Sequence, residues 1–335
     1  MHLGAEPTLT IALPTFNRSS DLRRTVGAIA SELDERVAVL VCDNHSQEPA
    51  ERVLQPILER FATRIRVVRH EFNIGGNANI LRCIELTHSP YVWILSDDDL
   101  PVPGCVETIL RRIEDAPATA FWKFSSTLHD FKKCSVVDDP DSYLSLVGSL
   151  GHALWISDVV FNREQIVGYM ALANHWASSC APHLILALLA LRDKRQAACV
   201  GDRVVEFKAP SPEQLSDRAT VFAGLPLLLQ LPLNWSTKKT IGRMIADMYQ
   251  SPESLALWIS QTAEDVWCAE ERAYWFRSLC GAILETFSGP MANIRCAIGR
   301  RSLGALRLAA KVDAGLTGGK YLTRRGLASG DDSRL

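Results

Sequence analysis

Two kinds of apolar run alternate through the first third of the chain. Residues 8–13, 37–42, 65–68 and 91–95 are short and β-prone, and 37–42 is apolar at every position. Such runs predict strands buried on both faces of a parallel sheet. Between them, apolar residues recur at helical spacing. Leu22, Val26, Ile29, Ala30 and Leu33 form one stripe, preceded by Ser19, Ser20 and Asp21, which offer N-cap chemistry. Further helices are predicted over 50–62, 77–87 and 104–113. Strands separated by helices make βαβ units, hence an α/β domain with a mostly parallel, helix-covered sheet.

The middle of the chain is less regular. Residues 120–125 and 153–161 read as strands, 163–173 and 182–192 as helices, and 197–207 as a strand pair. The Ala-Pro-Ser-Pro stretch within 208–214 marks a linker. Beyond it the pattern is helical, with Trp235, Trp258, Trp267 and Trp275 on apolar faces. Two regions follow: a domain over 1–215 and a helical region over 216–335.

A chain of 335 residues with 47% hydrophobic and 22% charged residues can bury a substantial core. Its net charge of −2 argues against a general nucleic-acid binder. From Met291 onward, however, nine Lys/Arg face three Asp/Glu. Five of these basic residues, Arg295, Arg300, Arg301, Arg307 and Lys311, interleave with apolar ones. A peripheral membrane contact through 291–325 is expected from them, against the alternative of a solvated helix. The nine cysteines contain no C-x-x-C pair, which disfavours zinc and points to a reducing, cytoplasmic setting. Residues 1–7 lack a signal pattern, and no apolar run reaches the length of a membrane span.

Polar clusters follow each of the first four strands: Thr15 to Arg18, Asp43 to Ser46, Asn73 to Asn79, and Asp97 to Asp99. In open α/β sheets ligands bind at the carboxyl ends of the strands, so four such clusters converge on one edge. Three consecutive aspartates repel one another unless a positive charge joins them. Carboxylates are hard oxygen ligands suited to Mg²⁺ or Mn²⁺, which complete their shell with water and substrate phosphates. The alternative is a solvated turn, or a cap on the helix that follows.

Four segments carry a resemblance: Thr-Ile-Ala-Leu-Pro-Thr-Phe-Asn-Arg (10–18), Val-Leu-Val-Cys-Asp-Asn-His-Ser (39–46), Asn-Ile-Gly-Gly-Asn-Ala-Asn (73–79), and Trp-Ile-Leu-Ser-Asp-Asp-Asp (93–99) with Pro103. In order and spacing they resemble a family 2 glycosyltransferase of the GT-A fold, over roughly the first 115 residues. The stretch Trp155 to Arg163 resembles the subgroup around bacterial abequosyltransferases of O-antigen and polysaccharide synthesis. The resemblance implies a nucleotide-diphosphate sugar donor, a divalent cation and a glycan or lipid-linked acceptor, usually with inversion. It implies that Pro14, Thr15 and Asn17 cradle base and ribose, with Phe16 near the base. Asp43 would read the nucleobase edge. Asn73, Gly76 and Asn79 would line the nucleotide. Asp97 would serve the ribose and Asp98 the metal, with Asp99 able to share that role. Ser96 stands where many members have another Asp.

Inverting transfer needs a general base. Where many family members place an acidic pair, this chain has Ala181-Pro182-His183-Leu184. His183 is the first candidate, as base, metal ligand or phosphate contact, against a capping or half-buried His. Asp158 is the second, against a surface carboxylate. Arg18 and Arg163 could meet phosphates or acceptor groups, though isolated arginines commonly pair at the surface. The missing acid pair leaves room for a non-catalytic sugar-nucleotide-binding scaffold. A nucleotidyltransferase is a further rival, but its Gly-rich signature is absent. No dinucleotide, P-loop or hydrolase-elbow motif occurs.

Overall fold

The computed structural model describes residues 6–127, 129–206 and 224–249. The chain divides into two units, Met1–Pro210 and Ser211–Leu335, taken in turn. The expected linker, Trp258, Trp267, Trp275 and the basic segment 291–325 lie outside the described residues.

The first unit opens with β1 (Leu9–Thr15), α1 (Ser19–Ala30), β2 (Val37–Asp43), α2 (Ala50–Phe61), β3 (Ile65–Arg69), α3 (Gly76–Leu86) and β4 (Tyr91–Ile94). Then come β5 (Leu100–Pro101), α4 (Cys105–Asp115), β6 (Phe121–Ser125), β7 (Ser135–Val137), α5 (Pro140–Val147) and α6 (Leu150–Leu154). It closes with β8 (Val159–Asn162), α7 (Arg163–Ile166), α8 (Met170–His175), α9 (Pro182–Arg192), β9 (Ala197–Arg203) and β10 (Val205–Glu206). Eight strands form one sheet in the order β3-β2-β1-β4-β8-β6-β9-β7. Strands β1 to β4 pair in parallel, as do β6 and β9, while β8 and β7 run antiparallel to their neighbours. A small ladder joins β5 to β10. The mostly parallel, helix-flanked sheet expected from the alternating pattern is present.

Helices α1, α2 and α4 bury their apolar stripes with Leu9, Ile11 and Leu13 of β1 in one core cluster. Leu22, Val26 and Ile29 of α1 and Val106, Ile109 and Leu110 of α4 fill it. Removing such side chains from water contributes about 1.5–3 kcal/mol each. Helix α9 is buried at every position from Pro182 to Leu191, which explains why it is apolar all round.

Several boundaries differ from expectation. Strand β1 runs to Thr15 because β2 pairs with it over its whole length, whereas β4 pairs only with Leu9 to Ala12. Pro14, which has no N–H to give, lies where β4 has already parted from β1. No side chain caps α1: its N-cap is Arg18, not Ser19, Ser20 or Asp21. The strand expected over 153–161 is instead α6 followed by β8. Ser149 caps α6 by accepting from the His152 N–H, which ends the strand pattern there. The single helix expected over 163–173 breaks into α7, a 3-10 turn at Val167–Tyr169, and α8.

In the second unit the described residues hold a 3-10 turn, Leu225–Gln230, and a helix, α10 (Trp235–Tyr249). Asn234 caps α10 through the Thr237 N–H at 2.8 Å. Trp235 is 54% exposed rather than part of a core, and the Lys239 ammonium sits 5.6 Å from its ring.

Candidate active site

The carboxyl ends of β1, β2, β3 and β4 carry the four polar clusters to one edge of the sheet, and hydrogen bonds join them. At the end of β1 the chain turns through Asn17, whose φ of 54° is left-handed, as Asn tolerates. The Asn17 N–H donates to Ser46 Oγ at 2.9 Å, and Asn17 Oδ1 accepts from the Gln47 N–H at 2.7 Å. The β1 and β2 turns are thereby stitched together.

Asp43, at the end of β2, faces inward. Its Oδ1 accepts from the Ser46 N–H at 2.8 Å. Its Oδ2 accepts from the Ala50 N–H at 3.1 Å and from Arg69 Nη1 at 2.6 Å. Burial alone would raise its pKa. The hydrogen bonds from Ser46, Ala50 and Arg69 outweigh that and hold it below the usual carboxylate range. Asp43, expected at a nucleobase edge, thus has both oxygens engaged within the protein and shapes the β2–α2 turn. Arg69, which sequence reasoning missed, also donates to the Ser46 carbonyl at 2.8 Å. No local pattern marks it, because its partner lies on a neighbouring strand.

The 73–79 loop is tied to the same turn. Asn44 donates to Asn73 Oδ1 at 2.7 Å and accepts from the Ile74 N–H at 2.9 Å. Gly75 has φ 87° and ψ 149°, a conformation essentially reserved for glycine, and this frees Gly76 to begin α3. Asn79 is buried, donating to the Cys42 carbonyl at 2.9 Å and meeting His70 Nε2 at 2.9 Å. Asn79 thus anchors the loop, while Phe16, Asn17, Asn73, Gly75 and Gly76 form its exposed surface.

After β4 the chain enters the aspartate turn. Asp97 is buried, accepting from the Thr15 hydroxyl at 2.6 Å and from Arg18 Nη1 at 3.0 Å. Burial pushes its pKa up to about 6, although Arg18 and Thr15 pull the other way. Asp98 is 15% exposed and accepts from Ser96 Oγ at 2.5 Å and from the same Arg18 nitrogen at 2.9 Å. Thr25 of α1 holds the backbone, its hydroxyl reaching the carbonyls of Asp97 at 2.9 Å and Asp99 at 3.1 Å. Arg24 meets the Asp98 carbonyl at 3.1 Å. Asp99 points the other way. Its Oδ2 accepts from Trp155 Nε1 at 2.8 Å and Ser157 Oγ at 2.6 Å. Asp99, expected to share the metal role, thus ties the turn through Oδ2 to the segment that leads into β8.

Neither base candidate is open to an acceptor. Asp158 is fully buried and paired with Lys123, whose ammonium also donates to the carbonyls of His152 at 2.7 Å and Trp155 at 3.0 Å. Burial lifts the Asp158 pKa to about 7 despite Lys123. His183 lies in the second position of α9, 3% exposed; among the described residues neither ring nitrogen makes a well-formed hydrogen bond, though the Leu154 and Ala153 backbone lies near the ring and acts to raise its pKa. Burial, helped by the Lys123 charge, pushes its pKa down to about 3. A base needs access and a pKa near the working pH, and His183 has neither here. Arg163 is also displaced from its expected role. Its backbone bonds the Pro90 carbonyl at 2.8 Å, at the amino end of β4 and opposite the aspartate turn.

Asp97 and Asp98 suit a divalent cation in number and kind. Mg²⁺ or Mn²⁺ at a diphosphate site takes one or two protein carboxylates, with phosphate and water oxygens completing the shell. Among the described residues no group of three or more His, Cys, Asp or Glu side chains could hold a metal without such help.

The sheet and flanking helices are those of GT-A proteins. They are shared with S. aureus TarS 1–349 in complex with UDP-GlcNAc (TM-score 0.57, 13% identity, 95% of this chain and 92% of that one). They are shared also with the Pyrobaculum calidifontis mannosyltransferase PcManGT in complex with GDP-Man and Mn²⁺ (TM-score 0.54, 14% identity, 91% and 86%). Identities this low establish the fold alone. Residues 10–127 match the family model for glycosyl transferase family 2. A curated relative, the GalNAc(5)-diNAcBac-PP-undecaprenol beta-1,3-glucosyltransferase of Campylobacter jejuni, is 25% identical over 116 residues, 34% of this chain and 37% of its own. The chain spans little more than a third of the length of such relatives.

Proposed function

We propose that the protein transfers a sugar from a nucleotide-diphosphate sugar to a hydroxyl acceptor, with a divalent cation held by Asp98 and Asp97 and with inversion at the anomeric carbon. The observation that carries this reading is the convergence of Thr15, Arg18, Asp97 and Asp98 at the carboxyl edge of a GT-A sheet. The exposed Phe16, Asn17, Gly75 and Gly76 offer a surface for base and ribose beside that cluster. Arg18 supplies positive charge for the diphosphate. A bound cation would offset the charge that builds on the leaving diphosphate. Thr15 and Thr25 keep the aspartates in place without reorganisation, which is what electrostatic stabilisation requires. On this reading the transferase domain spans 1–215 and the remainder is accessory.

The acceptor we infer is a lipid-linked glycan or polysaccharide precursor at the cytoplasmic face of a membrane. The likeness of residues 155–163 to abequosyltransferases of O-antigen synthesis and the undecaprenol-linked substrate in the C. jejuni relative's name support it. Among the described residues no helix is long and apolar enough to cross a membrane. The contact we infer runs through the basic segment 291–325.

The burial of His183 and Asp158 favours one other reading, a sugar-nucleotide-binding protein that keeps the fold without turnover. Thermal shift against UDP-, CDP-, GDP- and dTDP-sugars with Mn²⁺, followed by donor hydrolysis or transfer, separates the two. An enzyme shows a donor-dependent shift and turnover, and a binder only the shift. Asp98→Asn should abolish cation-dependent turnover with the fold intact. Wild-type turnover in that variant would remove Asp98 from the metal site.

A further inference from the structure

Arg18 stands where a cation bound by both aspartates would have to stand. One of its nitrogens, Nη1, lies 3.0 Å from Asp97 Oδ1 and 2.9 Å from Asp98 Oδ2. The side chain is one-third exposed, so it can swing toward solvent while its backbone stays fixed as the α1 N-cap, its carbonyl accepting from the Leu22 N–H at 2.9 Å. We propose that Arg18 is an exchangeable counter-ion. It neutralises the Asp97–Asp98 pair in the donor-free protein and must leave before Asp98 can take a divalent cation. Tight cation binding is therefore conditional on a diphosphate that receives the displaced guanidinium. The proposal rests on the reading of this edge as a nucleotide-diphosphate site.

The physical case is one of charge. The two carboxylates face each other across a single guanidinium, and without it they would repel. A divalent ion arriving alone would evict a positive charge into its own neighbourhood. A further carboxylate acting on Arg18, Asp21, is already paired with Arg24 at 2.9 Å. A nucleoside diphosphate removes the conflict, because guanidinium binds phosphate oxygens as a fork while the cation takes the others. By linkage, whatever factor the diphosphate adds to cation affinity, the cation adds to diphosphate affinity.

The test is a Mn²⁺ titration of the full chain by electron paramagnetic resonance, for wild type and Arg18→Gln, with and without UDP or GDP. Wild type should bind Mn²⁺ weakly alone and at least about tenfold more tightly with the nucleotide that binds. Arg18→Gln should bind Mn²⁺ alone several-fold more tightly than wild type and show a smaller nucleotide enhancement. Arg18→Lys, which keeps the charge, should stay close to wild type without nucleotide. If Arg18→Gln does not fold, Arg18→Met is read in the same way. Unchanged or weaker nucleotide-free Mn²⁺ binding in the neutral variant, with nucleotide still bound, overturns the exchange and leaves the site reading standing. Failure of the wild type to bind Mn²⁺ with either nucleotide overturns both.

Discussion

Lys123→Met would test whether the pair beneath the aspartate turn is a strut or part of the chemistry. The Lys123 ammonium donates to the His152 and Trp155 carbonyls and to Asp158, all in the interior. Methionine keeps the stem and removes every donor. The Trp155 carbonyl loses its Lys123 donor at a cost of about 1–3 kcal/mol, the His152 carbonyl keeps only the Trp155 N–H at 3.4 Å, and Asp158 must take up a proton rather than stay charged. Breaking a buried pair by removing one partner costs about 3–5 kcal/mol, so the two routes agree. The pH dependence gives a second signature. The folded pKa of Asp158 is already raised to about 7, against about 4 in the unfolded chain. A raised pKa means that the stabilising contribution is complete below about pH 4 and is lost as pH climbs through the folded value. Without Lys123 that value moves higher still. The variant then keeps losing about 1.4 kcal/mol per pH unit beyond pH 7, where wild type has levelled off. Urea unfolding at pH 6 and pH 8.5 measures both effects, with Lys123→Met/Asp158→Leu recovering most of the loss. A cost below about 1 kcal/mol at pH 8.5, or one equal at both pH values, would refute the strut. If the strut is right, Asp158→Asn weakens the fold while turnover per folded molecule stays within a few-fold of wild type.

Three more outcomes are expected. His183→Leu removes two buried nitrogens that have only the Leu154 and Ala153 backbone near them and no well-formed hydrogen bond, and should stabilise the protein by about 1 kcal/mol in urea unfolding. A hundredfold fall in turnover with the fold intact would instead return the base to His183. Thr25→Val should cost about 1–3 kcal/mol and weaken Mn²⁺ binding, because the Asp97 and Asp99 carbonyls lose their shared donor. Wild-type affinity in a Mn²⁺ titration would mean that the turn holds itself. For segment 291–325, co-sedimentation with anionic vesicles at low salt is expected at about 1 kcal/mol per basic residue. Equal recovery in the supernatant with neutral vesicles and at high salt would exclude the contact.

The parts of the fold legible in sequence were those set by local periodicity. The alternation through α4 and the span of α9 follow from apolar spacing that needs no partner to be read. The misread span 153–161 shows the opposite. Trp155, Ile156, Val159 and Val160 look like one strand, and only the Ser149 cap, a tertiary sheet edge and the Lys123 pair divide them. The candidate site was legible as polar residues at strand ends, which topology gathers whatever their individual roles. Which way each side chain turns was not legible. Asp97, Asp98 and Asp99 are identical in type and adjacent, yet Arg18 takes two of them and Trp155 with Ser157 takes the third. Asp158 reads as a turn carboxylate until Lys123, 35 residues earlier, is placed against it.

Strand β8 enters the sheet against the direction of β4 and β6. Its amino end, with Trp155 and Ser157, therefore arrives at the same edge as the carboxyl end of β4. This has a consequence for folding order. As the chain leaves the ribosome, β1 to β3 can pair early, each with the strand next to it in sequence, whereas β4 must reach back to β1 from Tyr91 to Leu9. Until β8 emerges, β4 is an open edge and Asp99 has neither the indole nor the serine that turns it inward. The aspartate turn is thus locked by contacts 56 and 58 residues downstream, a slow, non-local step. A fragment ending at residue 127, where the family match stops, would present an unpaired strand to other chains and an unfinished site.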